Sequence, residues 1–134
     1  MTNRTYETSI DVRGYELDSY GHVNHAVYVN YLEHARWKML EEEGIGIGDF
    51  KKWSRWPVIA GLEIHYQKPA FLGDHLEIRT EIIEVGKTSF TFAQSILRGE
   101  QPVAKAKIRV VMVNELGRPA SMPDEMKTHW STLS

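Results

Sequence analysis

Cysteine is absent from the 134 residues. That absence excludes disulfides, thiolate metal sites and a cysteine nucleophile. No run of about 18 apolar residues occurs, so no segment is expected to cross a bilayer as a helix. Charge of one sign is missing too: 16 Lys and Arg stand against 18 Asp and Glu, a net charge of -2. Neither nucleic acid nor a membrane surface is therefore an expected partner. The opening Met1-Thr2-Asn3-Arg4-Thr5 has no apolar stretch of the kind a signal peptide needs, and the cytoplasm is the expected location. There is no Gly-x-Ser-x-Gly turn, which sets aside the usual serine elbow. No repeat, low-complexity stretch or linker divides the chain, and its length suits one domain, 1–134.

What is present is periodicity. Residues 6–12 alternate Tyr6, Thr8, Ile10 and Val12 against Glu7, Ser9 and Asp11, the period of a half-buried strand. From 14 to 24 the residues are those of a loop. From His25 to Glu43 the period lengthens: Tyr28, Leu32, Ala35 and Met39, with Tyr31 beside them, make one apolar stripe on a helix of about five turns. Asn24 is its expected N-cap and Gly44 its terminator. Residues 44–56 are expected to form a long connection. Val58, Ala60, Leu62, Ile64 and Tyr66 then alternate up to Pro69, and further strands are expected over 76–82, 90–96 and 103–113. A short helix is expected after Asp124.

A strand, a long helix and four more strands linked by short turns predict the α+β class. The four strands are expected to form an antiparallel meander, giving a curled sheet of about five strands around one long central helix. Such a sheet keeps edges, so self-association by sheet extension or face packing is expected.

The stretch Asp18-Ser19-Tyr20-Gly21-His22-Val23-Asn24-His25-Ala26-Val27-Tyr28-Val29-Asn30-Tyr31-Leu32-Glu33-His34-Ala35-Arg36 carries a family pattern. It resembles the D-x-x-G-x-V-x-x-x-x-Y-x-x-x-x-E-x-A-R signature of 4-hydroxybenzoyl-CoA thioesterase-like proteins, of the hotdog fold. Its His22-Val23-Asn24 element is similar to that of acyl-ACP thioesterases in the same superfamily. Ile64 to Pro69, Gly73-Asp74 and Gly86-Lys87-Thr88-Ser89 resemble later segments. The resemblance implies a hydrolase of acyl-CoA or acyl-carrier-protein thioesters, without metal or organic cofactor. It also implies a homodimer or homotetramer with active sites at the subunit interface.

Thioester hydrolysis needs a group that attacks or activates water, and a means of holding the charge that grows on the carbonyl oxygen. A carboxylate serves as general base, or as nucleophile through a mixed anhydride. Asp18 is the expected residue, because it lies in a loop before a helix and matches the family's catalytic aspartate. Glu16, two residues upstream, is expected on the same side as Asp18 and is its rival. The unpaired amides of a helix's first turn, at Asn24-His25-Ala26, suit an oxyanion. By resemblance, the His25 amide polarises the carbonyl. The His25 side chain matches a histidine of the short-chain acyl-CoA branch, and His22 one of the acyl-ACP branch. The residues alone do not choose between the two.

Asn24 is read as a cap that also faces substrate, and Tyr28 as a helix-stripe residue that borders it. Lys87, Thr88 and Ser89 match a segment that contacts CoA, and Arg55, Arg98, Arg109 and Arg118 are further phosphate candidates. Phe50, Trp53 and Trp56 line an acyl pocket or anchor a loop. Glu33 and Arg36 are read as an ion pair. A metal held by Asp18, His22, His25, His34 and His65 fits no known ligand spacing, and none is expected. A hotdog hydratase and an acyl-CoA-binding module without catalysis are the remaining alternatives.

Overall fold

A computed structural model describes residues 4–130. In chain order the elements are β1 (Tyr6–Asp11), a 3-10 turn (Gly14–Glu16), α1 (His25–Glu42), α2 (Ile47–Trp53), β2 (Trp56–Tyr66), β3 (His75–Val85), β4 (Ser89–Arg98), β5 (Gln101–Val113) and α3 (Asp124–Trp130). The strands form one antiparallel sheet in the order β1-β3-β4-β5-β2. The expected α+β layout of five strands and one long helix is the layout observed.

The helix stripe reads as the sequence predicts. Tyr28, Tyr31, Leu32, Ala35 and Met39 are buried, in one core with Leu76, Ile78, Ile82, Phe90, Phe92, Ile96, Ile108, Val110 and Met112 of the sheet. Asn24 caps the helix by accepting the Ala26 N–H through Oδ1 at 2.9 Å. At the other end the Ile45 N–H bonds back to Leu40 O and the Gly44 N–H to Glu41 O, with Gly44 at φ +76. That is a Schellman stop, and the left-handed backbone at Gly44 is open to glycine at no steric cost. Glu43, awkward for a helix C-terminus, is bound by Arg4 Nη1 at 2.8 Å and by the Tyr6 hydroxyl.

Three expectations are corrected. Residues 44–56 are not a plain connection: α2 forms there because Asp49 Oδ2 accepts the Gly46 N–H at 2.8 Å and Phe50 buries itself in the core. The four later strands are not one meander: β2 pairs with β5, and residues 67–74 carry the chain across to β3. Eight residues reach over the three strand spacings, about 14 Å, without strain. Nor do the apolar residues of β2 share one face. A bulge between Ile59 and Gly61 puts Ile59, opposite buried Val110, on the side of Leu62, Ile64 and Tyr66, and turns Val58 to the other.

β2 is therefore an eleven-residue edge strand. Its Val58, Ile59, Leu62 and Tyr66 remain 46–50% exposed. No helix among the described residues is long and apolar enough to cross a membrane.

Candidate active site

The site grows from the start of α1. The cap consumes the Ala26 N–H, and the Val27 N–H bonds to Asn24 O at 2.9 Å. Among the described residues the His25 N–H has no partner. One polarised amide is thus left at the positive end of an eighteen-residue helix.

Asp18 stands in a loop closed by hydrogen bonds. Its N–H donates to His22 O at 2.7 Å, its carbonyl accepts from Gly21 N, and the Asn24 N–H donates to Glu16 O. Leu17 and Val23 bridge the loop's two arms, while the Val23 N–H is held by Ala70 O. Gly21, at φ +79, makes the reversal possible. Within the loop Asp18 Oδ1 accepts the N–H groups of Tyr20 (2.9 Å) and His22 (3.1 Å). Oδ2 takes no hydrogen bond among the described residues. The carboxylate is therefore fixed through one oxygen, with the other available.

Asp18, His22, His25 and Tyr28 line one open cleft with Tyr66, Gln67, Lys68 and Pro69. His25 is exposed. His22 lies between two rings, 6.2 Å from Tyr20 and edge-on to Phe71 at 5.1 Å. Neither imidazole is hydrogen-bonded to Asp18 among the described residues. Tyr28 is buried, its hydroxyl accepts the Ala70 N–H at 3.2 Å, and burial raises its pKa. Tyr66 packs on Tyr28 at 5.3 Å and donates its hydroxyl to His25 O at 2.8 Å. The sequence reading missed Tyr66, Gln67 and Lys68 as cleft residues. They lie over forty residues downstream of Asp18, and Tyr66 reads simply as the end of an alternating strand.

Glu16 is no rival to Asp18. The 3-10 turn directs it into the protein, where it is 6% exposed. Glu16 Oε1 accepts from Arg13 N (2.8 Å), Arg13 Nε (3.0 Å) and the Tyr31 hydroxyl (2.8 Å), and Oε2 from Arg13 Nη2 (2.7 Å). Burial opposes its charge, but these hydrogen bonds outweigh burial and lower its pKa. Glu16 borders a different depression, shared with His34 and His75.

Other expectations shift as well. Among the described residues Glu33 and Arg36 make no close ion pair, although the Glu33 charge still favours the Arg36 cation from a distance. Arg36 is drawn inward by Gln94, whose Oε1 accepts its Nη1 at 3.0 Å, and its guanidinium lies 5.8 Å over the Phe92 ring. Gln94 Nε2 in turn donates to Leu32 O and Thr80 Oγ1. Arg98 is committed to Asp74, Pro69 O and Gln101, and Arg55 to Ser121 O and Ser54 O. Arg109 and Arg118 are exposed.

Lys87, Thr88 and Ser89 sit at the opposite end of the sheet from the Asp18 cleft. Arg98, which touches Pro69 O, ends the ten-residue strand that Ser89 begins, a separation of roughly 30 Å along β4. Phe50 is core, with Trp53 against it at 6.0 Å. His65 faces Glu63 at 3.4 Å, away from His22 and His25, and no three His, Asp or Glu side chains among the described residues converge on a metal-sized space.

The cleft brings together a carboxylate fixed through one oxygen and a helix-start residue whose amide is unclaimed among the described residues, groups able to act as a base and as a donor to an oxyanion. Residues 12–129 match the sequence model of the thioesterase-like superfamily. The long-chain acyl-CoA thioesterase FadM of Escherichia coli is 38% identical over 114 residues, covering 81% of this chain and 83% of that one. The acyl-acyl carrier protein thioesterase ATL2 of Arabidopsis thaliana is 28% identical over 127 residues, and the match spans about two thirds (68%) of its length. The crystal structure of TT1821 from Thermus thermophilus, 28% identical, covers 96% of this chain and is itself 99% covered, with a TM-score of 0.89.

Proposed function

From its membership in the thioesterase-like superfamily, to which this hotdog-fold chain belongs, we propose that the protein hydrolyses acyl-CoA to the free acid and CoA. The observation that carries the reading is the pairing of two unclaimed groups in one cleft, Asp18 Oδ2 and the His25 N–H. The thioester carbonyl accepts the His25 N–H, whose dipole stabilises the oxygen as charge develops on it. Asp18 takes a proton from the attacking water, or itself attacks the carbonyl and is released from the anhydride by water. The C–S bond breaks and CoA leaves as the thiolate, protonated by solvent or by a cleft histidine. His22 and His25 both border the cleft, and Asn24 keeps the helix start in position.

The working unit is a homodimer or homotetramer of single-domain chains, 1–134, in the cytoplasm. The unpaired apolar edge of β2 supports the self-association. A twofold axis normal to the sheet pairs β2 with β2 of a second copy antiparallel, so the Tyr66 end of one strand meets the Trp56 end of the other. Trp56 pairs with Val113, and Val111 with Ser89. The second copy's Lys87, Thr88 and Ser89 then come within three strand spacings, about 14 Å, of the Asp18 cleft. That is close enough for CoA to lie across both subunits.

Acyl carrier protein is the second reading for the carrier, favoured by the ATL2 match and the His22-Val23-Asn24 element. The test is thiol release from acetyl- through palmitoyl-CoA and benzoyl-CoA, with matched acyl-ACP substrates. Cleavage of acyl-CoA at a higher kcat/KM than acyl-ACP is expected. Binding without cleavage of any thioester overturns the proposal and favours a hydratase or a binding module.

A further inference from the structure

The other border of the sheet is β1, which pairs with β3 on one side and with no strand on the other. Its free backbone groups follow from the ladder. The Val12 N–H donates to Asp74 O and the Val12 carbonyl accepts from Gly73 N, so Val12 bonds toward the β3 side. Bonding direction alternates along a strand, and the β1–β3 register runs from Tyr6 to Asp11 without a bulge. Tyr6, Thr8 and Ile10 therefore bond to β3, while the N–H and C=O groups of Glu7, Ser9 and Asp11 point away from the sheet.

A groove runs beside this edge. Depressions of about 440 Å³ and about 400 Å³ lie between β1 and α1. The first is bordered by Ser9, Ile10 and Asp11 with Asn30 and His34, the second by Glu7 and Thr8 with Lys38, Glu41 and Glu42. Together they follow the whole of β1, six residues or about 20 Å, and α1 from Asn30 to Glu42, about 18 Å. Neither shares a residue with the Asp18 cleft.

Charge selects what such an edge accepts. Glu7, Asp11, Glu41 and Glu42 are exposed along the groove. Against them stand Lys38, 3.5 Å from Glu41, and Arg79, which reaches Glu7 at 3.4 Å from β3. Arg13 is taken up by Glu16, and His75 meets Asp11 at 2.7 Å. The groove is negative. A second β1 is a poor occupant: antiparallel pairing centred on Ser9 sets Glu7 of each strand opposite Asp11 of the other, and like charges directly opposite destabilise a pair.

We propose that the β1 edge docks an extended basic segment of a partner protein, which adds a strand to the sheet with cations opposite Glu7 and Asp11. The strand's alternation fixes the rest. Positions one, three and five of the segment share the exposed face of Glu7, Ser9 and Asp11, so one and five are basic. Positions two and four lie beside Thr8 and Ile10, both half-buried, and suit β-branched apolar side chains. The inference does not depend on the proposed hydrolysis.

The probe is a capped peptide of that pattern, Lys-Val-Thr-Val-Lys, titrated into the full chain by NMR. At saturation the amides of Glu7, Ser9 and Asp11 are expected to exchange with solvent at least about tenfold more slowly. Those of Thr8 and Ile10, already bonded to β3, are expected to stay unchanged. A scrambled peptide of the same composition and charge is expected to bind at least about tenfold more weakly. Glu7→Lys, which sets like charges opposite, is expected to weaken binding at least about tenfold. Ser9→Pro removes one outward N–H without touching the β3 ladder and is expected to weaken it at least about threefold. No saturable binding, equal binding of the scrambled peptide, or protection on β2 with none on β1 overturns the proposal. So does a drop in sedimentation mass on binding together with that β1 protection, which makes a second copy the occupant of this edge.

Discussion

Removing the Glu16 carboxylate while keeping Tyr31 leaves a buried hydroxyl without its acceptor. Tyr31 is 1% exposed and donates to Glu16 Oε1 at 2.8 Å. A hydrogen bond to a charged group contributes about 1.5–3 kcal/mol, and an orphaned buried polar group costs about 1–3 kcal/mol. The Arg13 side chain is half exposed and returns to water, so its ion pair adds little. Glu16→Ala is therefore expected to destabilise by about 2–4 kcal/mol, and Tyr31→Phe by about 1.5–2 kcal/mol. The double variant is expected to fall short of the sum by about 1–2 kcal/mol, because the second change removes a group already stranded by the first. For a chain of this length Glu16→Ala lowers Tm by roughly 6–15 °C. Urea unfolding at one fixed protein concentration measures all four corners of the cycle. The same bond ties α1 to the turn that precedes Asp18, so kcat falls along with stability in Glu16→Ala. A coupling energy near zero, or a Glu16→Ala protein as stable as wild type, refutes this account of how the loop is anchored.

Glu16 also sets a pH dependence. Its pKa is lowered on folding, so its contribution to stability is present above the ordinary carboxylate value of 4.5 and is lost as pH falls through the folded value. Asp74, lowered through the Phe71 N–H and Arg98, acts in the same direction. Tm measured from pH 7 down to pH 3 is expected to drop less steeply in Glu16→Gln than in wild type, and parallel curves contradict the assignment. Asn24→Ala removes the cap on Ala26 and is expected to cost about 0.5–2 kcal/mol. It also frays the helix start that holds the His25 amide, so kcat falls more than KM changes, and steady-state kinetics checks the split. Tyr66→Phe deletes the hydroxyl that holds His25 O and is expected to lower kcat/KM with Tm nearly unchanged, because Tyr66 is half exposed and its loss strands no buried group.

The long helix was fully legible, from its Asn24 cap to its Gly44 stop, because both ends use local chemistry that a sequence displays directly. Asp18 and His25 share one cleft, as their place in one short stretch around a helix start leads one to expect, while their roles stay proposals that rest on the family resemblance. What the sequence concealed is long-range. The strand order depends on where residues 67–74 cross, and no local period records that. The inward turn of Glu16 came from a 3-10 turn within a segment that reads only as a loop. The separation of Glu33 from Arg36 follows from Gln94, a polar residue buried on β4 that outcompetes a helix neighbour for the guanidinium. Tyr66 joins the cleft only because β2 runs back to the start of α1, a meeting that spacing alone does not reveal.

The central claim concerns one carboxylate, and thiol release by Asp18→Asn tests it most directly. The substitution keeps the size and the amide contacts from Tyr20 and His22 while removing the charge. On the best acyl-CoA substrate the account predicts a loss of at least about 100-fold in kcat with Tm within a few degrees of wild type. An Asp18→Asn protein that turns over at the wild-type rate contradicts it, and moves the chemistry to the histidines of the cleft.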